Sequence, residues 1–429
     1  MYIHTSSKNR KQGNGSLIVE VRTANLTPVP GVVITIVSLS SNTIVAELQT
    51  DVVGQTDTID LEAPYVDLSE TPEYFIPPYA SYRITAQKNG YIPVIILGSQ
   101  IFADTKSIQP IEMLPINPVV DDPFAMPNTR TDVEAIVIGE PTLYGDYPPK
   151  IPESEIKNTT AGGFVVLDKV VVPEFIVVHD GSPNSNSAPN YTVRYKDYIK
   201  NVASSEIYPT WPYETIKANV IAIISYTLNR VYTEWYRNQG KSYTITSSTA
   251  FDHAFFYGRN IFEEISRVVD EVFDIYVKRP GVLQPLFTQY CDGQRSTCPG
   301  WMTQWGSQRL GEDGLSAVQI LKYFYGSDIQ VLSAPVVSGI PESYPGYTLR
   351  VGSSGSPVRT IQIQLNRISD NYPLIPKVAT DGVYGSGTSD AVKAFQKIFH
   401  LSQDGAVGKS TWYEISRVYV AVTKIAALN

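Results

Sequence analysis

A chain of 429 residues has room for more than one domain, each burying its own core. Hydrophobic residues at 43% and charged residues at 18% are globular values and exclude wholesale disorder. The net charge of -8 argues against nucleic acid as a partner, and no apolar run reaches the ~18 residues of a membrane span.

Residues 1–14 are polar and partly basic with no apolar segment behind them, so they read as a frayed tail and not as a secretory signal. Residues 15–115 read as strands. SLIVEV sets Leu17, Val19 and Val21 on one face, GVVITIVS follows a Pro-x-Pro-Gly turn, and SYRITAQKNGYIPVIIL gives a strand, an Asn89-Gly90 turn and another strand. Residues 116–165 hold seven prolines, and their eight acids against three bases give a net charge of -5. Long helices and central strands are disfavoured there, leaving a linker or a wrapping segment.

Residues 166–340 are expected to carry the chemistry. VVVPEFIVVHDG reads as a buried strand ending in a turn. A helix from Tyr213, with Pro212 at its first turn, spaces Ile216, Val220, Ile223, Ile224, Val231 and Trp235 helically. Asn260 and Glu263 fit a capping box before a helix burying Ile265, Val268, Val269 and Val272; Ser316 and Gln319 fit another, in a helix stopping at Gly326. Glu206 follows a polar, strand-like run and precedes a Trp-Pro turn, outside the regular helix. On its residues alone a surface charge is the plainer reading. The aromatic corner of Tyr208, Trp211 and Tyr213 would favour partial desolvation, which raises a carboxyl pKa toward general-acid range.

Cys291 and Cys298, seven apart, form neither a disulfide framework nor a zinc set; a loop-closing disulfide and two free thiols both stand open. His4, His179, His253 and His400 are scattered without metal-ligand spacing, so neither metal nor other cofactor is expected.

Residues 343–420 contain an internal echo. Asp381-Gly382-x-Tyr384-Gly385-x-x-Thr388 recurs as Asp404-Gly405-x-Val407-Gly408-x-x-Thr411, each threonine placed to N-cap the next helix. The helix after Thr388 aligns Ala391, Val392, Phe395 and Ile398, and LRVGSSGSPVRTIQIQLN supplies another amphipathic helix upstream.

Three resemblances attach to these stretches. TDVVGQT with YRITAQKNGYIP resembles the transthyretin-like, carboxypeptidase-regulatory β-sandwich, a module used mostly for binding or spacing. The doubled Asp-Gly pattern is similar to the type-1 peptidoglycan-binding domain, a three-helix module. That likeness implies wall binding through Asp381, Gly382, Tyr384, Asp404 and Gly405. YIKNVASSEIYPTWPYETIKANVIAIISYTLN resembles the signature of the stage II sporulation protein D family of lytic transglycosylases, a strand ending in a catalytic Glu, then a Pro, then a helix. Glu206 falls on the catalytic glutamate, and Glu214, Lys217, Ala218 and Tyr226 fall on the helix pattern. GWMTQWGSQRLGEDGLSAVQILKYFYG resembles the family's closing motif, with Met302, Gln304, Trp305, Gly306 and Gln308 in matching places. Ile224 stands where the family commonly has an arginine, and Cys298 where it often has a histidine.

The implied architecture is multidomain: an N-terminal transthyretin-like β-sandwich, an α+β lytic transglycosylase domain and a small all-α three-helix peptidoglycan-binding domain. Together these resemble the clostridial spore cortex-lytic enzymes, which carry an N-terminal prosequence. The resemblance implies cleavage of the MurNAc-GlcNAc β-1,4 bond of spore cortex peptidoglycan with Glu206 as the catalytic acid. The expected substrate contacts are Tyr208, Trp211, Lys217, Asp292, Thr303, Gln304 and Trp305. It further implies synthesis in the mother cell, a place at the cortex/coat boundary, and activation by a subtilisin-like germination protease, expected to cut between Gly162 and Lys169. The alternatives are a hydrolytic muramidase with Asp292 as second carboxylate, and a non-catalytic cortex-binding protein.

Overall fold

Apolar alternation in the first hundred residues builds two facing sheets. The computed structural model describes residues 13–72, 76–116, 133–140, 167–296, 298 and 300–423. Strands β1 (Gly13–Arg22), β2 (Val33–Ser38), β3 (Ile44–Gln49) and β4 (Ile59–Ala63) are followed by a one-turn helix α1 (Asp67–Glu70). Then come β5 (Tyr79–Gln87), β6 (Val94–Phe102), β7 (Lys106–Glu112) and β8 (Glu134–Val137). One sheet has the order β3-β2-β5-β6-β8. In the other, β1 pairs antiparallel with β4 and parallel with β7. Leu17, Val19, Val21, Ile34, Ile36, Ile84 and Ile96 fill the space between. The expected Asn89-Gly90 turn joins β5 to β6, with Gly90 at φ 84°. β8, in the proline-rich stretch, takes an edge, where missing N–H donors cost least. Gly98, at φ 96°, lets it approach: a Cβ there would lie 2.2 Å from the Ile138 carbonyl oxygen.

The middle part opens with β9 (Val171–Val172), β10 (Phe175–His179) and β11 (Asn190–Arg194), then α2 (Tyr195–Glu206) and α3 (Tyr213–Tyr232). The stretch ending in Glu206 is thus helical, not strand-like: Tyr195, Tyr198, Ile199, Val202 and Ala203 recur at helical spacing and are all buried. Glu206 is the last residue of that helix. α3 is buried nearly all round, as its continuous apolar character dictates. It ends at Tyr232, so Trp235 lies beyond it, over the Arg230 guanidinium at 5.0 Å.

After β12 (Ile245–Thr246), the two-residue strand β13 (Ile261–Phe262) leads into α4 (Glu263–Val272). No Asn260 side chain caps α4. Asn260 bonds instead to the backbone of Gln100, donating to its carbonyl (2.6 Å) and accepting from its N–H (3.1 Å). β13 adds to the free edge of β7, pairing Ile261 with Ile108 and Phe262 with Ser107. The N-terminal sheet therefore continues into the middle of the chain.

β14 (Ile275–Lys278), β15 (Tyr290–Cys291) and β16 (Met302–Thr303) precede α5 (Gln304–Glu312) and α6 (Ala317–Tyr325). The Ser316–Gln319 capping box forms as its residues require, and Gly326 ends α6. β17 (Gln330–Ser333) pairs with β14, and β18 (Val336–Val337) with β9.

Three helices close the chain: α7 (Ser356–Ser369), α8 (Ser386–Ile398) and α9 (Lys409–Thr423). Ala391, Val392, Phe395 and Ile398 share the buried face of α8. Neither Thr388 nor Thr411 caps a helix: each lies two residues inside one, and a glutamine one helix earlier donates to its hydroxyl. Gln362 donates to Asp381 Oδ1, the Val383 carbonyl and Thr388 Oγ1, and accepts from Gly382 N–H. Gln396 repeats the pattern with Asp404, Ala406, Thr411 and Gly405. The duplicated motif is thus two identical buried braces.

This helical module docks on both other parts. Lys196 of α2 bridges Asp270 of α4 (2.5 Å) and Glu414 of α9 (2.9 Å). His400 meets Glu20 of β1 at 2.6 Å and Glu263 of α4 at 3.7 Å, while Tyr372 donates to the Leu26 carbonyl at 2.5 Å.

Candidate active site

Glu206 reaches its place because α2 stops there and the chain turns through Tyr208, Pro209 and Pro212 into α3. The carboxylate is held at both oxygens. Ala254 N–H donates to Oε1 at 2.7 Å, and the Tyr290 hydroxyl donates to Oε2 in a short bond. Burial, reinforced by the charge of Glu206, keeps the Tyr290 hydroxyl pKa well above its ordinary range, so Tyr290 remains a donor.

A second layer fixes these donors. His253 is fully buried; its Nδ1 bonds the Tyr198 hydroxyl at 2.9 Å, and its ring lies parallel to Tyr290. Beside it, Asp252 accepts from Arg230 Nε (2.7 Å), Tyr236 (2.6 Å), and the backbone and side chain of Thr246 (3.0 and 2.7 Å). Burial alone would raise the Asp252 pKa, but Arg230 and these hydrogen bonds hold it below the usual carboxylate value. The loop that presents Ala254 N–H is thereby clamped to α3.

A cavity of about 390 Å³ opens in front of Glu206. Of the expected substrate contacts, Tyr208, Trp211, Asp292, Gln304 and Trp305 all line it. Tyr208, Trp211 and Trp305 pack with ring centroids 5.1–5.9 Å apart, the kind of surface on which a sugar face stacks.

Lys217 and Thr303 do not join them. Lys217 lies on the α3 face toward α4, paired with Glu271 at 2.6 Å. Thr303 packs against Gly293 and Gly306, where it shapes the loop. Asp292 lines the cavity, yet its oxygens accept from Arg295 N–H, Ser296 N–H and Ser296 Oγ at 2.6–2.8 Å, an arrangement that ties them inside their own turn. Cys291 and Cys298 are disulfide-bonded across that turn. Glu214 receives Ala317 N–H at 2.6 Å at the start of α6, and Ile224 is buried in the core of α3. Tyr384 is fully buried and donates to the Gly405 carbonyl, while Asp381, Gly382, Asp404 and Gly405 belong to the glutamine braces. Of the expected cleavage window, residues 162–166 lie outside the described residues.

Sequence reasoning missed Tyr290, Ala254 and the opposite wall of the cavity. That wall comes from the N-terminal sandwich: Leu68, Pro78, Tyr79, Gln100, Phe102 and, after β8, Glu140. The sandwich also takes up polar groups beside the cavity. Trp211 Nε1 donates to the Ser69 carbonyl at 2.9 Å and Thr210 donates to Ser69 Oγ at 2.8 Å, both on α1.

Comparison with known proteins agrees with two of these parts. Residues 185–272 match the family described as stage II sporulation protein, and residues 354–415 match the peptidoglycan binding domain family. No curated protein matches the chain. Among solved structures, the crystal structure of the SleB N-terminal domain is 28% identical, with TM-score 0.16, over 18% of this chain and 99% of that one. The Bacillus anthracis TIE protein is 15% identical, with TM-score 0.18, over 24% of this chain and 18% of that one. Chlorocatechol 1,2-dioxygenase from Pseudomonas putida is 13% identical, with TM-score 0.16, over 24% and 60%. A stage II sporulation segment and a three-helix peptidoglycan-binding segment in one chain mark a cell-wall protein of sporulation.

Proposed function

We propose that the protein is a lytic transglycosylase of spore cortex peptidoglycan, kept closed by its N-terminal sandwich until a germination protease cuts the chain. The observation that carries this is one carboxylate, Glu206, gripped at both oxygens at the end of an aromatic cavity whose far wall is the sandwich. The reaction needs only that one carboxyl. Protonated Glu206 gives its proton to the glycosidic oxygen as the MurNAc-GlcNAc β-1,4 bond breaks through an oxocarbenium-like state. The resulting carboxylate, stabilised by Tyr290 and Ala254 N–H, takes the proton of the MurNAc C6 hydroxyl. That oxygen closes on C1, leaving a 1,6-anhydro sugar and a regenerated acid.

The muramidase alternative asks Asp292 to activate a water. Its engagement with three donors of its own turn speaks against that role. A non-catalytic cortex binder would leave the grip on Glu206 without a purpose. The peptidoglycan-binding module would hold the enzyme on the cortex, at the cortex/coat boundary. Among the described residues no helix is long and apolar enough to cross a membrane. With the linker cut, Glu206→Gln is expected to pellet with purified cortex as the unsubstituted protein does and to release no muropeptides, because an amide cannot shuttle the proton. Wild-type release by this variant would remove Glu206 from the mechanism.

A further inference from the structure

Arg259 is buried at the seam between the sandwich and the middle part, 2% exposed. Its partners are neutral: Nε donates to the Asn260 carbonyl at 3.0 Å and Nη2 to Gln100 Oε1 at 3.0 Å, with the Phe262 ring 5.6 Å from the guanidinium carbon. Among the described residues no carboxylate pairs with it. Burial lowers its pKa to about 9, the mark of a cation poorly compensated for the water it has lost. A guanidinium buried without an anion costs stability, and an apolar side chain would serve a permanent seam better.

Its neighbours give that cation a use. Gln100, the side chain bonded to it, comes from the sandwich and lines the Glu206 cavity, as does Tyr79 of the same sheet. On the other side β13, which begins two residues after Arg259, abuts the end of α2, where Phe262 N–H meets Ser204 Oγ at 3.4 Å, two residues before Glu206. Ser204 and Ser205 line the same cavity. Withdrawing the sandwich would strip Gln100 away and uncover, behind the wall that Gln100 formed, a guanidinium with donors to spare. We propose that Arg259 is an anion-recognition residue of the opened cleft, masked by Gln100 in the intact chain, which there receives a carboxylate carried by the glycan. This rests on the glycan-cleaving, sandwich-closed reading above.

The test uses the full chain carrying Glu206→Gln, so that ligand is not consumed, before and after proteolysis between Gly162 and Lys169. Two disaccharides serve as probes: GlcNAc-MurNAc, whose free lactyl carboxylate stands in for the carboxylates of the stem peptide attached there, and chitobiose, which has none. After the cut, Arg259→Gln is expected to weaken GlcNAc-MurNAc binding by about tenfold or more, as loss of a charge-assisted pair does, and to leave chitobiose unchanged. Arg259→Lys should fall between, keeping charge without the fork. In the unsubstituted sequence, phenylglyoxal labelling mapped by mass spectrometry should spare Arg259 in the intact chain, modify it after the cut, and spare it again with GlcNAc-MurNAc bound. Equal losses for both sugars, no loss for either, no binding of either sugar with Arg259 unprotected, or an Arg259 still inert after the cut would each overturn the proposal. Absence of glycan cleavage by the cut Glu206 protein, with labelling and carboxylate preference as expected, would sink the catalytic reading alone.

Discussion

Tyr290 meets Glu206 across a sequence separation of 84, and nothing in the residues around it announces the bond. If its hydroxyl steadies the carboxylate formed after proton transfer, Tyr290→Phe should slow glycan cleavage by the cut protein on the order of a hundredfold, as loss of a preorganised donor does. The circular dichroism spectrum and cortex pelleting should be unchanged. An undiminished rate would show that Ala254 N–H suffices. The contrast with Glu206, Tyr208 and Trp211 explains what was legible in the sequence. Those three lie within one motif, where order along the chain carries the information. Lys217 lies in the same motif and was misplaced, because a motif match fixes a residue's type but not the helix face it occupies. Here the Glu271 carboxylate shows that the face is the wrong one.

Among elements, the helical module was the most readable. The spacing of Ala391, Val392, Phe395 and Ile398 alone describes its buried face. Its threonines do not cap because the helices begin two residues ahead of them, at Ser386 and Lys409, and their hydroxyls serve a buried glutamine. Asn260 failed as a cap for a similar reason, drawn away by the backbone of Gln100. α2 was misread because valine and serine are indifferent helix formers, so its tyrosine and isoleucine spacing, and not propensity, decides the matter. The brace gives a direct prediction. Gln396→Ala leaves the Gly405 N–H, the Ala406 carbonyl and the Thr411 hydroxyl without this partner in a buried site. The variant should lose about 3 kcal/mol from the module's unfolding transition in denaturant, and Gln362→Ala a similar amount. A loss near zero for either would mean water replaces the glutamine.

At the scale of the whole molecule, the three parts meet at His400. It belongs to the helical module and faces Glu20 of the sandwich and Glu263 of the middle part, with Arg22 and Lys106 close by. Burial opposes the His400 charge, but Glu20 and Glu263 outweigh it and raise the pKa above 6.5. The two glutamates, buried yet paired, are lowered from 4.5 to about 2. The histidine's contribution is complete below pH 6.5 and disappears as pH rises through its raised value. The glutamates' contribution is complete above pH 4.5 and disappears as pH falls toward about 2. Thermal stability of the intact chain should therefore be greatest between pH 4.5 and 6.5, and His400→Gln should flatten the alkaline side. An unchanged alkaline side would place the titration elsewhere.

Only the resemblance to cortex-lytic enzymes implies a removable prosegment, and no residue pattern says how tightly the sandwich is tied. β13 completes the β7 edge, Gln55 donates to the Ile398 carbonyl at 2.9 Å, and Ser69 holds Trp211, contacts between residues too distant in sequence for any local pattern to reveal. A cut in the window from Gly162 to Lys169 is therefore expected to release the N-terminal fragment slowly, the two fragments co-eluting on size-exclusion chromatography at first and separating on incubation as cleavage activity rises. Fragments still associated after prolonged incubation would show that the cut alone does not open the cavity.

The most direct measurement is mass spectrometry of muropeptides released from purified spore cortex by the intact chain, the cut chain and the cut Glu206→Gln variant. The account predicts 1,6-anhydro-MurNAc ends, released much faster by the cut chain than by the intact one and not at all by the variant. Reducing ends in place of anhydro ends, or equal release by intact and cut chains, would contradict it.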